Sequence, residues 1–159
     1  MNNLPEWLPP LLTINQWTPD IIDILYGIFE RDFKKTQPLY DNQIVWFFPE
    51  REHGREIVFW HLITETDHSE GIRVPDYCRA RRLPWTRKVI ESHGRPEILA
   101  WDYVEGNGSI KTYVWLYKHD YIVILKKYSD GSRRLLTAYC ILFPNYRRKL
   151  KKKYLKRIL

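Results

Sequence analysis

Apolar positions follow a helical period at the two ends of this 159-residue chain and a strand period in between. Pro5, Pro9 and Pro10 keep the first residues extended, so residues 1–18 read as an N-terminal segment ahead of the first element. Thr18-Pro19-Asp20 is a helix start, with Thr18 as cap and Pro19 at the first helical position. Ile21, Leu25, Ile28 and Phe29 follow at helical spacing, which predicts a helix over 19–35 packed on a sheet. Ile44–Phe48 and Ile57–Thr64 are β-branched and aromatic runs separated by a polar turn, Pro49–Arg55, and read as strands. Ser69–Arg73 reads as a loop, and Trp85–Ser92 has helical composition after Pro84.

Two hairpins follow. Ile98–Val104 and Ile110–Tyr117 flank Glu105-Gly106-Asn107-Gly108-Ser109, and Tyr121–Lys127 and Leu135–Leu142 flank Ser129-Asp130-Gly131-Ser132. Tyr146, Leu150, Tyr154 and Ile158 then recur every fourth residue, an apolar stripe on a basic C-terminal helix. A helix, a run of mostly antiparallel strands and a closing helix make one α+β domain over residues 19–159.

Composition narrows the class. Seven Trp, eleven Tyr and six Phe supply an ample core, and no apolar run reaches the ~20 residues that cross a bilayer. No secretory leader is evident in MNNLPEWLPPLL. Cys78 and Cys140 are too few for a disulfide framework or a four-ligand zinc site, which fits a reducing cytoplasm.

Charge is segregated. Residues 1–70 hold 5 Lys/Arg against 12 Asp/Glu, residues 71–95 hold 7 against 2, and residues 147–159 hold 8 against none. Basic segments focused in this way suit a polyanion such as nucleic acid. The same tail would also be tolerated as a solvated helix face.

Three segments carry candidate chemistry. His61 lies in the run EIVFWHLIT, where alternation groups it with Phe59 and Ile63 on one face. A strand histidine is more often structural than catalytic, yet imidazole alone titrates near neutrality and suits proton transfer without a metal. The stretch Tyr77–Lys88 holds Arg79, Arg81, Arg82, Arg87 and Lys88, with no acid between Asp76 and Glu91 and with Trp85 as a stacking surface. Thr137 and Tyr139 share a strand face and can hydrogen-bond a phosphate, and Lys126 or Lys127 at the end of the neighbouring strand faces the same side. Phosphate loops, HExxH, GxSxG and CxxC patterns are missing, and acids do not cluster as a metal site; no cofactor is expected.

The order WHLIT, RARRLPW, WDY…KTYVWLYKHDYIVILKK, LLTAYCI and RRKLKKKYLKR resembles the phage-associated branch of the barnase/EndoU/colicin/RelE-like nuclease superfamily, over about Ile44 to Arg157. The resemblance implies an N-terminal helix on a four- to five-stranded, mostly antiparallel sheet. It also implies a metal-independent endoribonuclease, often a toxin or mobile-element effector, that leaves a 2′,3′-cyclic phosphate. By position it implies His61, one of Arg79, Arg81 and Arg82, and Thr137 and Tyr139; with Lys126 or Lys127 to offset developing charge, the expected catalytic set is His61, Arg79, Arg82, Lys126, Thr137 and Tyr139.

On this reading His61 transfers the proton, an arginine of 79–82 holds the phosphate and Trp85 stacks a base. RNA contacts would come from Arg81, Trp85, Arg87, Lys88 and Lys127, and from Arg147, Arg148, Lys151, Lys152 and Lys153 on the terminal helix. The expected partner is RNA, with a small acidic antitoxin or immunity protein if the chain is a toxin, and no membrane. Two other readings compete: an RNA-binding module without chemistry, and a peripheral protein docking through its terminal helix.

Overall fold

The computed structural model describes residues 3–159. Helix α1 (Pro19–Phe29) opens as its sequence dictates: the Ile21 amide donates to the Thr18 hydroxyl at 3.2 Å, and Pro19 fills the first turn. Leu25 and Phe29 form its buried face. The helix does not continue unchanged to residue 35. It loosens into a π-helical turn, Glu30–Lys35, which buries Asp32 and Phe33.

The rest is built around a sheet of β1 (Leu39–Tyr40), β2 (Gln43–Phe47), β7 (Ile98–Val104), β8 (Ile110–Leu116), β9 (Tyr121–Lys127) and β10 (Arg133–Cys140). Their order across the sheet is β1-β2-β10-β9-β8-β7. Both hairpins form where Gly108 (φ 86°) and Gly131 (φ 87°) supply the left-handed residue that each turn requires. The class is α+β, but the sheet has six strands and is mixed. β2 runs parallel to β10, pairing Val45–Phe47 with Arg133–Leu135. That parallel pair is reached by a long crossover, as parallel neighbours require.

The crossover holds two short hairpins, β3 (Arg51–Glu52) with β4 (Arg55–Glu56) and β5 (Thr64–Asp67) with β6 (Ile72–Pro75). It also holds helices α2 (Ile57–Ile63), α3 (Tyr77–Arg81) and α4 (Leu83–Glu91). Here the strand expected over 57–64 is corrected: residues 57–63 are helical. Val58, Phe59, Leu62 and Ile63 are buried, a spacing that marks one helix face. Phe59 packs on Tyr26 and Phe29 of α1, with ring centroids 5.1 and 5.6 Å away. Tertiary packing overrides the β-branched composition of the run.

With no strand from 57–64 to extend the sheet, β10 beyond Leu135 has no strand partner on its β2 side. α2 and α3 pack there instead. A bulge between Leu135 and Thr137 turns Thr137 and Tyr139 to the face of Ile124 and Ile122.

One sheet face lies under α1, α2 and α4 and is lined by Val114, Leu116, Val123, Leu125 and Leu135. The other, lined by Trp101, Trp115, Ile122, Ile124 and Ile141, is covered in part by α5 (Pro144–Leu155). Of the stripe foreseen on α5, Leu150 is buried and Tyr154 packs edge-on to Trp101, whereas Tyr146 and Ile158 are exposed. The N-terminal segment is bound into the domain: Leu8 and Ile14 are buried, and the indole of Trp85 donates to the Pro9 carbonyl at 2.7 Å. No helix among the described residues is long and apolar enough to cross a membrane.

Candidate functional site

A cavity of about 750 Å³ opens between the α2–α3 side and α5, over the part of β10 that lacks a strand partner. His61, Arg79, Thr137 and Tyr139, from three separate elements, all line it. His61 comes from the last turn of α2. Its ring is half-buried, and neither ring nitrogen makes a hydrogen bond among the described residues. Burial, with the charges of Arg73 and Arg79 added, lowers the imidazole pKa below its usual value. The ring is therefore neutral at pH 7 and open to accept a proton.

Arg79 is fixed from both ends. Nη1 donates to the carbonyls of His61 and Thr64, and Nε lies 3.0 Å from Asp76 Oδ2 without the alignment of a hydrogen bond. Asp76 in turn caps α3 through the Arg79 amide. The guanidinium sits 5.7 Å from the ring centre of Tyr139, and Nη2 has no hydrogen-bond partner among the described residues. Burial raises the Tyr139 pKa, so its phenol stays protonated and can donate. Thr137 reaches toward the His61 carbonyl at 3.4 Å.

Several lining residues gave no sequence signal. Arg73, from β6, is anchored to the Thr64 carbonyl and hydroxyl at 2.6 and 2.8 Å. Glu65, from β5, lines the cavity with Asp76, and the neighbouring carboxylate and burial push its carboxyl up. His68, Tyr113, Lys149 and Lys153 also line the wall. Only the β5–β6 pairing brings Glu65 and Arg73 to this cavity, and Ser69–Arg73 had read as a plain loop.

Other expected residues are placed elsewhere. Arg82 points away, to the Cys78 carbonyl and sulfur. Arg81 donates to the Ile14 carbonyl, and Arg87 to the carbonyls of Asp32, Thr36 and Gln37 and to Glu91. Arg81 and Arg87 tie the crossover to the N-terminal segment and to the π-helical turn and the residues just after it. Trp85 is 1% exposed and packs edge-on to Tyr121, so no face is open for a base. Lys88 is exposed.

Lys127 turns to the helix-covered face, where it pairs with Asp102 at 2.9 Å; Lys126 is the one on the Thr137 face. On α5, Arg147 is held by Asp120 and the Tyr117 carbonyl. Lys153 reaches Glu105 at 3.1 Å and Tyr113 Oη at 2.8 Å. Burial works to raise the Glu105 pKa, but its Tyr113 and Lys153 hydrogen bonds outweigh this and hold it low. Arg148, Lys151 and Lys152 remain exposed and form no ion pair among the described residues.

Beside the cavity, the open part of the α5-side face carries an ordered row. Trp46 faces Arg134, Arg134 faces Lys126, Lys126 faces Lys111 and Lys111 faces Tyr103, across five strands. Trp46 is 48% exposed, and none of the three cations pairs with a carboxylate among the described residues. Lys126 is two residues along β9 from the position opposite Thr137, a separation of ~7 Å. Comparison with known families, curated proteins and solved structures finds no match to this chain.

Proposed function

We propose that this chain is a metal-independent endoribonuclease whose reaction centre is the cavity of His61, Arg79, Thr137 and Tyr139. The observation that carries the reading is the convergence, in one cavity, of a neutral unpartnered imidazole, a protonated phenol and a guanidinium with a free nitrogen. RNA brings its own nucleophile, so a site for it needs proton transfer and charge stabilisation alone.

In the proposed step His61 takes the proton of a 2′-OH as that oxygen attacks the adjacent phosphorus. The bond to the 5′-oxygen breaks, leaving a 2′,3′-cyclic phosphate and a 5′-OH. Arg79 Nη2, Arg73 and the Tyr139 phenol offset charge on the phosphoryl oxygens, and Thr137 orients them. Glu65, which beside Asp76 holds a proton more tightly than an isolated carboxyl, is on the cavity wall to protonate the departing oxygen. Arg82 drops out of the catalytic set and Lys126 joins the cationic row. That row, with Trp46 and Tyr103 at its ends, fits a single strand held by its phosphates and by base stacking. A toxin or mobile-element role, and with it a small acidic inhibitor, rests on the resemblance alone.

The test is a broad RNA panel incubated in excess EDTA with the wild type and with His61→Gln. Cleavage by the wild type, reduced about 10²-fold or more in the variant, is the expected result. The runner-up, an RNA-binding module, is favoured if both proteins bind equally and neither cuts, because the row and the α5 lysines account for binding without chemistry.

A further inference from the structure

We propose that Cys78 and Cys140 form a reversible oxidation site that closes to an intramolecular disulfide when the chain meets hydrogen peroxide. Cys78 lies in α3 and Cys140 ends β10, so only the fold brings them together. Both are free thiols, half-buried, and both line a second cavity of about 430 Å³ beside Arg82. α3 packs on β10 here, and the residues next to the two cysteines, Arg79 and Tyr139, lie 5.7 Å apart, guanidinium to ring centre.

The partners make the pair asymmetric. Arg82 Nη1 lies 3.1 Å from Cys78 Sγ. Its guanidinium otherwise meets the Cys78 carbonyl at 3.0 Å and the Trp85 ring at 5.1 Å, and it pairs with no carboxylate among the described residues. A Cys78 thiolate is the counter-charge that Arg82 lacks. The Cys140 hydrogen bond, helped by Arg82 and Arg81 and opposed by burial and Asp76, holds the Cys78 thiol down to about 7. The same contact pushes the Cys140 thiol up. One sulfur is thus the nucleophile, and the other keeps its proton and resolves.

The chemistry closes without a further reactant. The Cys78 thiolate attacks one peroxide oxygen, the O–O bond breaks, and hydroxide leaves and is protonated to water; Cys78 is now a sulfenic acid. The Cys140 sulfur attacks the Cys78 sulfur, the S–O bond breaks, and hydroxyl departs with the Cys140 proton as a second water. Two thiols have lost two electrons to the peroxide. The new bond joins α3 to β10 one residue from Arg79 and one from Tyr139, across the two walls of the larger cavity. The inference holds whether or not that cavity cleaves RNA.

The test treats the full chain with equimolar hydrogen peroxide at neutral pH, counts free thiols and maps peptides without reduction. Expected are loss of both thiols, a linked Cys78–Cys140 peptide lighter by two hydrogens, and full recovery with dithiothreitol. Cys140→Ser should instead trap a sulfenic acid on Cys78, detected with a cyclic 1,3-dione. In the unmutated chain, alkylation by iodoacetamide should rise through a midpoint at about 7, which needs no variant to fold. Retention of both thiols, a disulfide joining two chains, or an alkylation midpoint at the ordinary thiol value would each overturn the proposal.

Discussion

Arg79 Nη1 donates to the carbonyl oxygens of both His61 and Thr64, at 2.8 Å each. These carbonyls end α2, where the helix has no partners of its own for them and where a cation is favoured. The residue therefore holds the histidine it serves, and removing it does more than remove a charge. Arg79→Ala should cost ~3 kcal/mol of folding stability, since it frees two charge-assisted bonds and leaves Asp76 unpaired. Arg79→Lys should recover part of that stability in urea denaturation while cleavage at saturating RNA stays low, because a lysine cannot bond both carbonyls and reach the phosphate. Equal stability of the alanine variant and the wild type would contradict this.

His61 gives a pH dependence of known sign. Its folded pKa lies below the unfolded value of ~6.5, so between the two the unfolded chain binds more protons. The stability associated with neutral His61 is complete above about 6.5 and is lost as pH falls toward the folded pKa. His61→Gln should flatten that part of the stability curve. The wild-type cleavage rate should hold at mildly acid pH and fall only below the usual histidine range, measured as kcat/KM against pH.

The α5 lysines divide by partner. Lys153 is about one-third exposed and bonds Glu105 and Tyr113, so Lys153→Ala should cost ~1 kcal/mol, after allowance for solvent screening, and should disturb the cavity wall. Lys151→Ala with Lys152→Ala should leave the melting temperature unchanged. That double change should weaken RNA binding and reduce the salt slope by about 2, with the saturated rate intact. A loss of saturated rate in the double variant would place these lysines at the reaction centre.

The cationic row makes a separate expectation. Arg134→Ala and Lys126→Ala should each weaken single-stranded RNA binding and lower the salt slope by about 1, whereas Trp46→Ala should weaken binding without changing the slope. Fluorescence titration at several salt concentrations reads all three. An unchanged affinity in Trp46→Ala would remove stacking from the picture.

How legible this was in the sequence varies by element, for physical reasons. Both hairpins, α1 and α5 were readable, because turn chemistry and caps are local: Gly108, Gly131 and Thr18 act within a few residues. The run 57–63 misled because a short buried apolar segment has no exposed face to reveal its period, and its conformation is set by Phe59 against α1. His61, Thr137 and Tyr139 stand out by residue type, and the fold brings them to one cavity. Arg82, Trp85 and Lys127 lie outside that cavity and Lys153 is paired at its wall, because composition reports charge and aromaticity without saying which carbonyl or carboxylate consumes them. Glu65 and Arg73 were missed because only strand pairing carries them to the site.

The most direct test of the central claim is single-turnover cleavage of an oligoribonucleotide in EDTA, beside the same oligomer carrying one 2′-deoxy substitution at the cut position. The account expects the first to yield a 2′,3′-cyclic phosphate and a 5′-OH by mass spectrometry, and the second to bind with similar affinity and remain whole. Cleavage of the deoxy oligomer, or a 5′-phosphate on the product, would contradict it.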